Sequence, residues 1–307
     1  MKRTLLYLFL PVLVNLYSNQ SIKAQKVHPN QDTLLAYWQI MLRGESDSVQ
    51  RVASLKVKEI LSQSFTTTQC LSLKLPKEIR LSALMPTDSA FLLITWNIPL
   101  STGGYFYDGL LVAKNTPDSK LSVYPLKDKS DEIKNPETLI TRPENWYGAL
   151  YYQLLEFKSE KGKFYVLLGW DGGNGRIQRK IIEVLSFDDD HLPRFGDKIF
   201  DQSPKTRLIF EYASGSYFVL RYEKQHYRKK VWYKRKPVIK EEAMIVMNRL
   251  VYEPTVGANV AAANILDAYL FSDGKLILLK DIDARNPEEQ NRPSPKNPPS
   301  QGLIPPD

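Results

Sequence analysis

Apolar residues recur at helical spacing only near the start of the chain. Between Asp32 and Arg43, the residues Leu34, Leu35, Tyr37, Trp38, Met41 and Leu42 fall at intervals of three and four. That spacing puts them on one face of a helix, with Asp32 as its N-cap and Gly44 beyond its end. A second helix is expected from Ser46 or Asp47, carrying Val49, Val52, Ala53, Val57, Ile60 and Leu61 until Thr66-Thr67-Thr68 stop it. Beyond about residue 71 the pattern turns to short runs of aromatic and β-branched residues, each closed by turn chemistry. These runs predict strands over 91–98, 105–114, 121–125, 149–158, 163–170, 177–187, 207–212, 216–224, 243–251, 267–272 and 275–281. Separators such as Ser101-Thr102-Gly103-Gly104, Glu160-Lys161-Gly162, Asp171 to Gly175 and Ser272-Asp273-Gly274 supply Gly or Asp where a hairpin needs positive φ. Loops this short join antiparallel neighbours and leave no room for a crossover helix, which sets aside Rossmann-like and TIM-barrel sheets. The expected fold is mainly β, an antiparallel sandwich, open barrel or curved meander, with a short N-terminal helical segment packed on one face or end.

The two ends of the chain read differently. Met1 to Ala24 begins with Lys2 and Arg3, continues through a ten-residue apolar run from Leu5 to Val14, and closes on Ile22-Lys23-Ala24 before Gln25. A charged start, a short apolar middle and a small residue at the cut are the order of a secretory signal. The apolar run falls short of the ~20 residues a spanning helix needs, which argues against an uncleaved anchor and leaves no stable membrane span after cleavage. The expected organisation is a signal peptide (1–24), a helical segment (25–70), an antiparallel β domain (71–285) and a tail (286–307). That tail holds seven of the twenty prolines and reads as disordered or polyproline. The chain would therefore be exported, either periplasmic or secreted. Cys70 is the single cysteine, so neither an intramolecular disulfide nor a multi-cysteine metal site can form.

Charge is unevenly spread. The formal net charge of +8 falls to +5 once Lys2, Arg3 and Lys23 leave with the signal. Tyr222 to Lys240 carries eight cations against Glu223 alone, so this one segment holds +7 and the rest of the mature chain −2. Arg228, Lys229, Lys230, Lys234, Arg235 and Lys236 interleave there with Trp232 and other aromatics, the combination that polyanion binding uses: charge to displace counterions and flat rings to stack. Export favours an envelope polyanion over nucleic acid. The plainer reading is a long hairpin that protrudes from the sheet and is kept soluble by its lysines.

Four other constellations invite chemistry. Gly169 to Arg176 is glycine-rich, but phosphate-cradling loops lead into a helix and Ile177 onward reads as strand, so a wide hairpin turn is favoured. Trp146, Trp170, Asp171 and Arg176 keep a sugar or small-ligand contact open, since such sites combine an aromatic with polar groups on loops. Asp188, Asp189, Asp190 and His191 lack the alternate-position register and distal Glu of a calcium loop, so no metal is expected. Asp108, Glu144 and Asp171 are loop carboxylates of the kind glycoside hydrolysis needs, and nothing singles out a pair. No motif demands a cofactor, and no nucleophile turn is present.

Asn145-Trp146-Tyr147-Gly148-Ala149-Leu150-Tyr151-Tyr152, Tyr165 to Asp171, Ile181 to Phe187, Pro193-Arg194-Phe195-Gly196 and Asp281 to Asn286 together resemble a family of uncharacterised exported proteins from Bacteroidetes bacteria, over residues 80–286. The resemblance implies an exported β-rich domain and transfers no activity, ligand or catalytic residue. It also implies that the basic stretch is an insertion into the shared core. The expectation is an envelope-associated, non-enzymatic binding or scaffold protein with a surface glycan or envelope polyanion as partner. The alternative is a glycan or peptide hydrolase with loop carboxylates as acid and base. If the signal is cut where its pattern indicates, mass spectrometry of protein recovered from the native host will show a chain beginning at Gln25; an intact Met1 in a cytosolic fraction would exclude export.

Overall fold

A computed structural model describes residues 31–67, 71, 74–115, 120–160, 162–229, 233, 235 and 237–282. Residues 1–24, expected as a signal, Cys70, the proline-rich residues 286–307, and Lys230, Trp232, Lys234 and Lys236 of the basic stretch lie outside the described residues.

Two helices come first, α1 (Gln31–Arg43) and α2 (Asp47–Thr67). They turn tightly at Gly44, whose N–H donates to the Ile40 carbonyl at 2.7 Å. A Cβ on Gly44 would stand 2.8 Å from that same oxygen, so a side chain cannot be placed there without opening the turn. Leu34, Trp38 and Met41 of α1 are buried as their spacing predicts. In α2 the buried stripe is Gln50, Ala53, Ser54, Val57, Lys58, Leu61, Ser64 and Phe65, whereas Val49 and Val52, expected inside, are exposed.

Thirteen strands follow, and among the described residues they form three antiparallel sheets, each a meander. The first sheet holds β1 (Ser82–Leu84), β2 (Phe91–Pro99), β3 (Tyr105–Asn115) and β4 (Lys120–Lys127). The second holds β5 (Leu150–Ser159), β6 (Gly162–Asp171), β7 (Ile177–Phe187) and β8 (Pro193–Phe195), with β9 (Leu208–Ala213) also paired to β7. The third holds β10 (Leu220–Lys229), β11 (Val238–Glu253), β12 (Ala258–Ser272) and β13 (Lys275–Ile282).

The side-chain alternation of each strand divides it between two cores. Leu92, Ile94, Trp96 and Ile98 of β2 meet the helices, while Phe91 and Leu93 meet Tyr151, Tyr165 and Leu167 of the second sheet. Phe164, Val166 and Leu168 on the opposite face of β6 pack on Leu220, Ile245 and Met247 of the third. The order is therefore helices, first sheet, second sheet, third sheet. The inner strands are apolar on both faces, a feature more usual in parallel sheets, because each is covered on both sides. The expected mainly antiparallel β fold with an N-terminal helical segment on one face is present, as three stacked sheets, with β9 returning to β7 in the second.

A polar group locks the helical layer to the first sheet. Asp108 on β3 is wholly buried; its carboxylate accepts from Ser54 Oγ at 2.7 Å and from the Gly109 N–H at 2.9 Å, and it is ion-paired to Lys58. Ser54 Oγ in turn accepts from Trp96 Nε1 at 2.9 Å, and Lys58 Nζ donates to the Leu126 carbonyl at 2.9 Å. Burial pushes the Asp108 carboxyl above the ordinary carboxylate range, against the pull of Lys58. Removing one partner of such a pair strands the other charge, so Asp108→Ala should lower stability in urea denaturation by about 3–5 kcal/mol, while the double variant Lys58→Met/Asp108→Asn should recover a large part of the loss. Equal losses in the single and double variants would show that the charge pairing is not what holds this layer.

Candidate functional site

The turn between β6 and β7 organises the best-formed cleft near the sequence-predicted residues. Gly173 takes φ +59°, and a Cβ there would fall 1.9 Å from the Ile177 carbonyl oxygen. Asn174 Oδ1 accepts from the N–H groups of Arg176 and Ile177 at 3.2 and 3.0 Å, closing the hairpin. The glycine-rich stretch is thus a strand-to-strand turn, as its sequence context indicates.

This turn sets the register that builds the site. Asp171 is directly opposite Arg179 across β6 and β7, and Arg179 is directly opposite Glu211 across β7 and β9. The result is a row of three alternating charges: Arg179 Nη1 lies 2.9 Å from Asp171 Oδ2, and its Nε lies 2.7 Å from Glu211 Oε1. Tyr107 reaches across from the first sheet, its hydroxyl donating to Asp171 Oδ1 at 3.2 Å and accepting from the Gly172 N–H at 2.8 Å. Burial first, and then the neighbouring Asp171 charge, push the Tyr107 and Tyr147 phenols well above the ordinary tyrosine range, so both remain protonated.

These groups line a cleft of about 740 Å³ whose far wall is a 3₁₀ turn, Pro136–Thr138. That wall is pinned from below. Arg207 and Glu183 form a fully buried ion pair at 2.7 Å. Arg207 also donates to the Pro136 carbonyl, to Thr141 Oγ1 at 3.1 Å and to the Phe195 carbonyl at 3.1 Å. Glu137 then faces the cleft, held by the Ile209 N–H at 3.0 Å and by Lys205 Nζ at 2.6 Å. Ser130, Asn135 and Tyr105 complete the rim.

Of the four residues expected as a ligand contact, Asp171 alone lines this cleft. Trp146 is fully buried and its indole N–H donates to Tyr151 Oη at 3.1 Å, so it is a core residue with nothing to present to a ligand. Trp170 is half-buried, edge-on to Tyr105 at 5.1 Å and bonded to Gln178 at 3.3 Å. Arg176 is exposed on the turn. Asp108 is the buried lock described above, and Glu144 is exposed in a second 3₁₀ turn, Pro143–Asn145. Asp188 holds Arg142 at 2.5 Å and caps its own turn through the Leu192 N–H at 2.8 Å, and among the described residues no group of three His, Cys, Asp or Glu could hold a metal ion. The sequence reading missed Tyr107, Tyr147, Arg179, Glu137, Lys205 and Glu211. Arg179 is not reached by a hairpin closed over Asp171 to Gly175, which would place Gly175 opposite Asp171; the wider loop 172–178 brings it there, and the others arrive through tertiary packing.

The basic stretch forms a hairpin. β10 and β11 pair from Leu220↔Met247 out to Lys229↔Val238, with Tyr233 and Arg235 exposed beyond the ladder. Its outer part carries an acidic partner: the Tyr227 hydroxyl donates to Glu242 at 3.1 Å, and Lys240 lies 3.8 Å from the same carboxylate. No helix among the described residues is long and apolar enough to cross a membrane. No family model matches this chain, nor does any curated protein or solved structure, so the likeness to exported Bacteroidetes proteins finds no support in these comparisons.

Proposed function

We propose that the protein is an exported, envelope-associated binding protein that seats a neutral glycan in the cleft between Tyr107, Asp171, Arg179 and Glu137. The observation that carries this reading is the charge row Asp171, Arg179, Glu211 laid beside two protonated tyrosines. A polyhydroxylated ligand needs alternating donors and acceptors fixed in place, with ring surface beside them; the preset row provides the first without reorganisation and the half-buried Tyr105 on the rim provides the second, Tyr107 and Tyr147 being almost wholly buried. A hydrolase needs one carboxyl to give a proton and a second to act as base or nucleophile. Here Asp171 and Glu211 share one guanidinium and Glu137 is engaged by Lys205, so among the described carboxylates lining the cleft only Asp131 stands outside an ion pair, which leaves a hydrolase one carboxyl short.

Titration with neutral chito-, malto- and xylo-oligosaccharides, followed by intrinsic tyrosine and tryptophan fluorescence, should give saturable binding to at least one series. The variants Glu211→Gln and Lys205→Met should weaken it by about ten- to a hundredfold with an unchanged thermal midpoint, since a hydrogen bond to a charged group is worth about 1.5–3 kcal/mol. No saturable response from any series would overturn the glycan reading, and release of reducing ends during incubation would replace binding by hydrolysis.

The segregated charge favours a second contact. With Arg235 and Tyr233 exposed at the end of the β10–β11 hairpin, the segment is suited to an envelope polyanion bound by counterion release. Neutralising Arg228, Lys229, Lys230, Lys234, Arg235 and Lys236 together should abolish retention on a heparin column and leave the thermal midpoint nearly unchanged. Retention equal to the parent's would remove the binding role.

A further inference from the structure

The third sheet ends the stack without closing. Its ladder shifts register between Asn248 and Leu250 on β11, and again between Leu266 and Ala268 on β12. Bulges of this kind increase local twist and bend a sheet. Here they curl the meander until β10 and β13 approach each other around the buried side chains of Met244, Val246 and Ala268. The two strands share no ladder. Between them lies a slot of about 980 Å³, lined by Tyr227 and Arg228 of β10 and by Leu278 to Ile282 of β13, with Leu266 at its floor.

The direction of the β13 backbone can be read from what already occupies one end of its edge. The Leu276 N–H donates to the Ile199 carbonyl at 2.7 Å, and the Leu276 carbonyl accepts from the Asp201 N–H at 2.9 Å. Both groups of Leu276 therefore point away from β12. In an antiparallel ladder this orientation repeats every second residue, so the N–H and C=O of Leu278 face outward as well, into the slot. Residues 199–201 cover the edge only at its start. Leu278 is itself 40% exposed. Two of the residues lining the slot, Asn264 and Asp281, hold φ of +58° and +57°, values that L side chains adopt at local cost and that cluster at functional positions.

The charge at the slot selects what could enter. Arg228 stands on one wall and Lys280 on the other. Arg249 nearby is held by both oxygens of Asp267, at 3.1 and 2.6 Å, so the slot itself sets two cations, Arg228 and Lys280, against the single carboxylate of Asp281. We propose that this slot receives an extended acidic segment of a partner protein, which adds to β13 as a further strand, bonds to the Leu278 backbone, turns an apolar side chain toward Leu266 and Leu279, and sets its carboxylates against Arg228 and Lys280. Strand addition takes its affinity from main-chain hydrogen bonds and its selectivity from alternate side chains, and this edge offers both.

The test uses the full chain and a fluorescently labelled, terminally blocked heptapeptide that alternates valine with glutamate, followed by anisotropy. Saturable binding is expected. The same peptide N-methylated at alternate amides, or carrying lysine for glutamate, should bind at least about tenfold more weakly, the loss expected for one net hydrogen bond or charge pair. Leu278→Pro should abolish binding and leave the thermal midpoint close to the parent's, because the N–H it removes points off the sheet. If that variant fails to fold, Lys280→Glu supplies the second reading, with affinity for the acidic peptide reduced and affinity for its lysine counterpart raised. Equal binding of the methylated peptide, or no saturable binding at all, would overturn the proposal. A peptide of residues 283–307 that displaces the acidic heptapeptide more tightly than the heptapeptide displaces itself would assign the slot to this chain's own tail. A dimer abolished by Leu278→Pro would assign it to a second copy. Either outcome overturns the partner.

Discussion

The buried pair of Glu183 and Arg207 is the constraint on which the upper half of the second sheet rests. Neither side chain is exposed at all. Burial alone would neutralise the Glu183 carboxyl, and Arg207 opposes that shift. An ion pair in such a place adds little stability over a well-packed apolar pair of the same volume, yet losing either partner costs several kcal/mol. Its effect is on arrangement. The Arg207 guanidinium distributes its donors among Glu183 on β7, the Pro136 carbonyl, Thr141 and the Phe195 carbonyl, and so draws two points of the β4–β5 connection and the end of β8 together against β7. Glu137 follows Pro136 directly, which means that the cleft wall is hung from this guanidinium. Asp108 and Lys58 do the same for the helical layer. In both places a charged group in the core decides which neighbour sits on which face, where apolar packing alone would accept several alternatives.

That dependence on buried polar groups explains which elements were legible in the sequence. Strands such as Phe91–Pro99 stand out because both faces are apolar. β12 was read nine residues short at its start, since Ala261-Ala262-Ala263-Asn264 is a bulge with no alternation and no bulky side chain. β10 was expected from Ser216, but Ser216 closes a turn through the Ala213 carbonyl, and the strand runs on through residues whose charge argues against it. Pairing with β11 overrides propensity there. β1 and β8, at three residues each, are too short to show a period. The face of α2 was misplaced for a different reason. Its true stripe has helical spacing but includes Gln50, Ser54, Lys58 and Ser64, and hydrophobicity points instead to Val49 and Val52. The sheet residue that recruits Ser54 and Lys58 is Asp108, fifty residues further along.

The candidate site was legible at one residue. Asp171 was visible because it opens a glycine-rich turn, whereas its partner Arg179 requires knowing that the loop spans 172–178. Glu211 requires knowing that β9 joins β7 on the side away from β6, and Tyr107 requires knowing that the first sheet packs on the second. Tryptophans attract functional readings, and here they mislead: Trp146 has a polar tip satisfied by Tyr151 inside the core, which is the usual condition of a buried indole.

Sequential stacking also dictates where binding surface can remain. The helices cover one face of the first sheet, the first and second sheets cover each other, and the second covers one face of the third. The inner layers thus have no face left, and what they can offer a ligand lies at strand ends, where the β6–β7 turn and the Pro136–Thr138 wall meet. The last layer has a different problem. Among the described residues nothing packs on its far side, and Met244, Val246 and Ala268 would lie open to water if the sheet were flat. Two bulges bend it around those side chains at the cost of leaving two edges face to face but unpaired. Open edges invite association with other chains, and natural sheets restrain this with charge and with irregular pairing. Arg228, Lys280 and the bulge at Asp281 supply both, so the features that keep this edge from indiscriminate pairing are also those that would choose an acidic strand over any other.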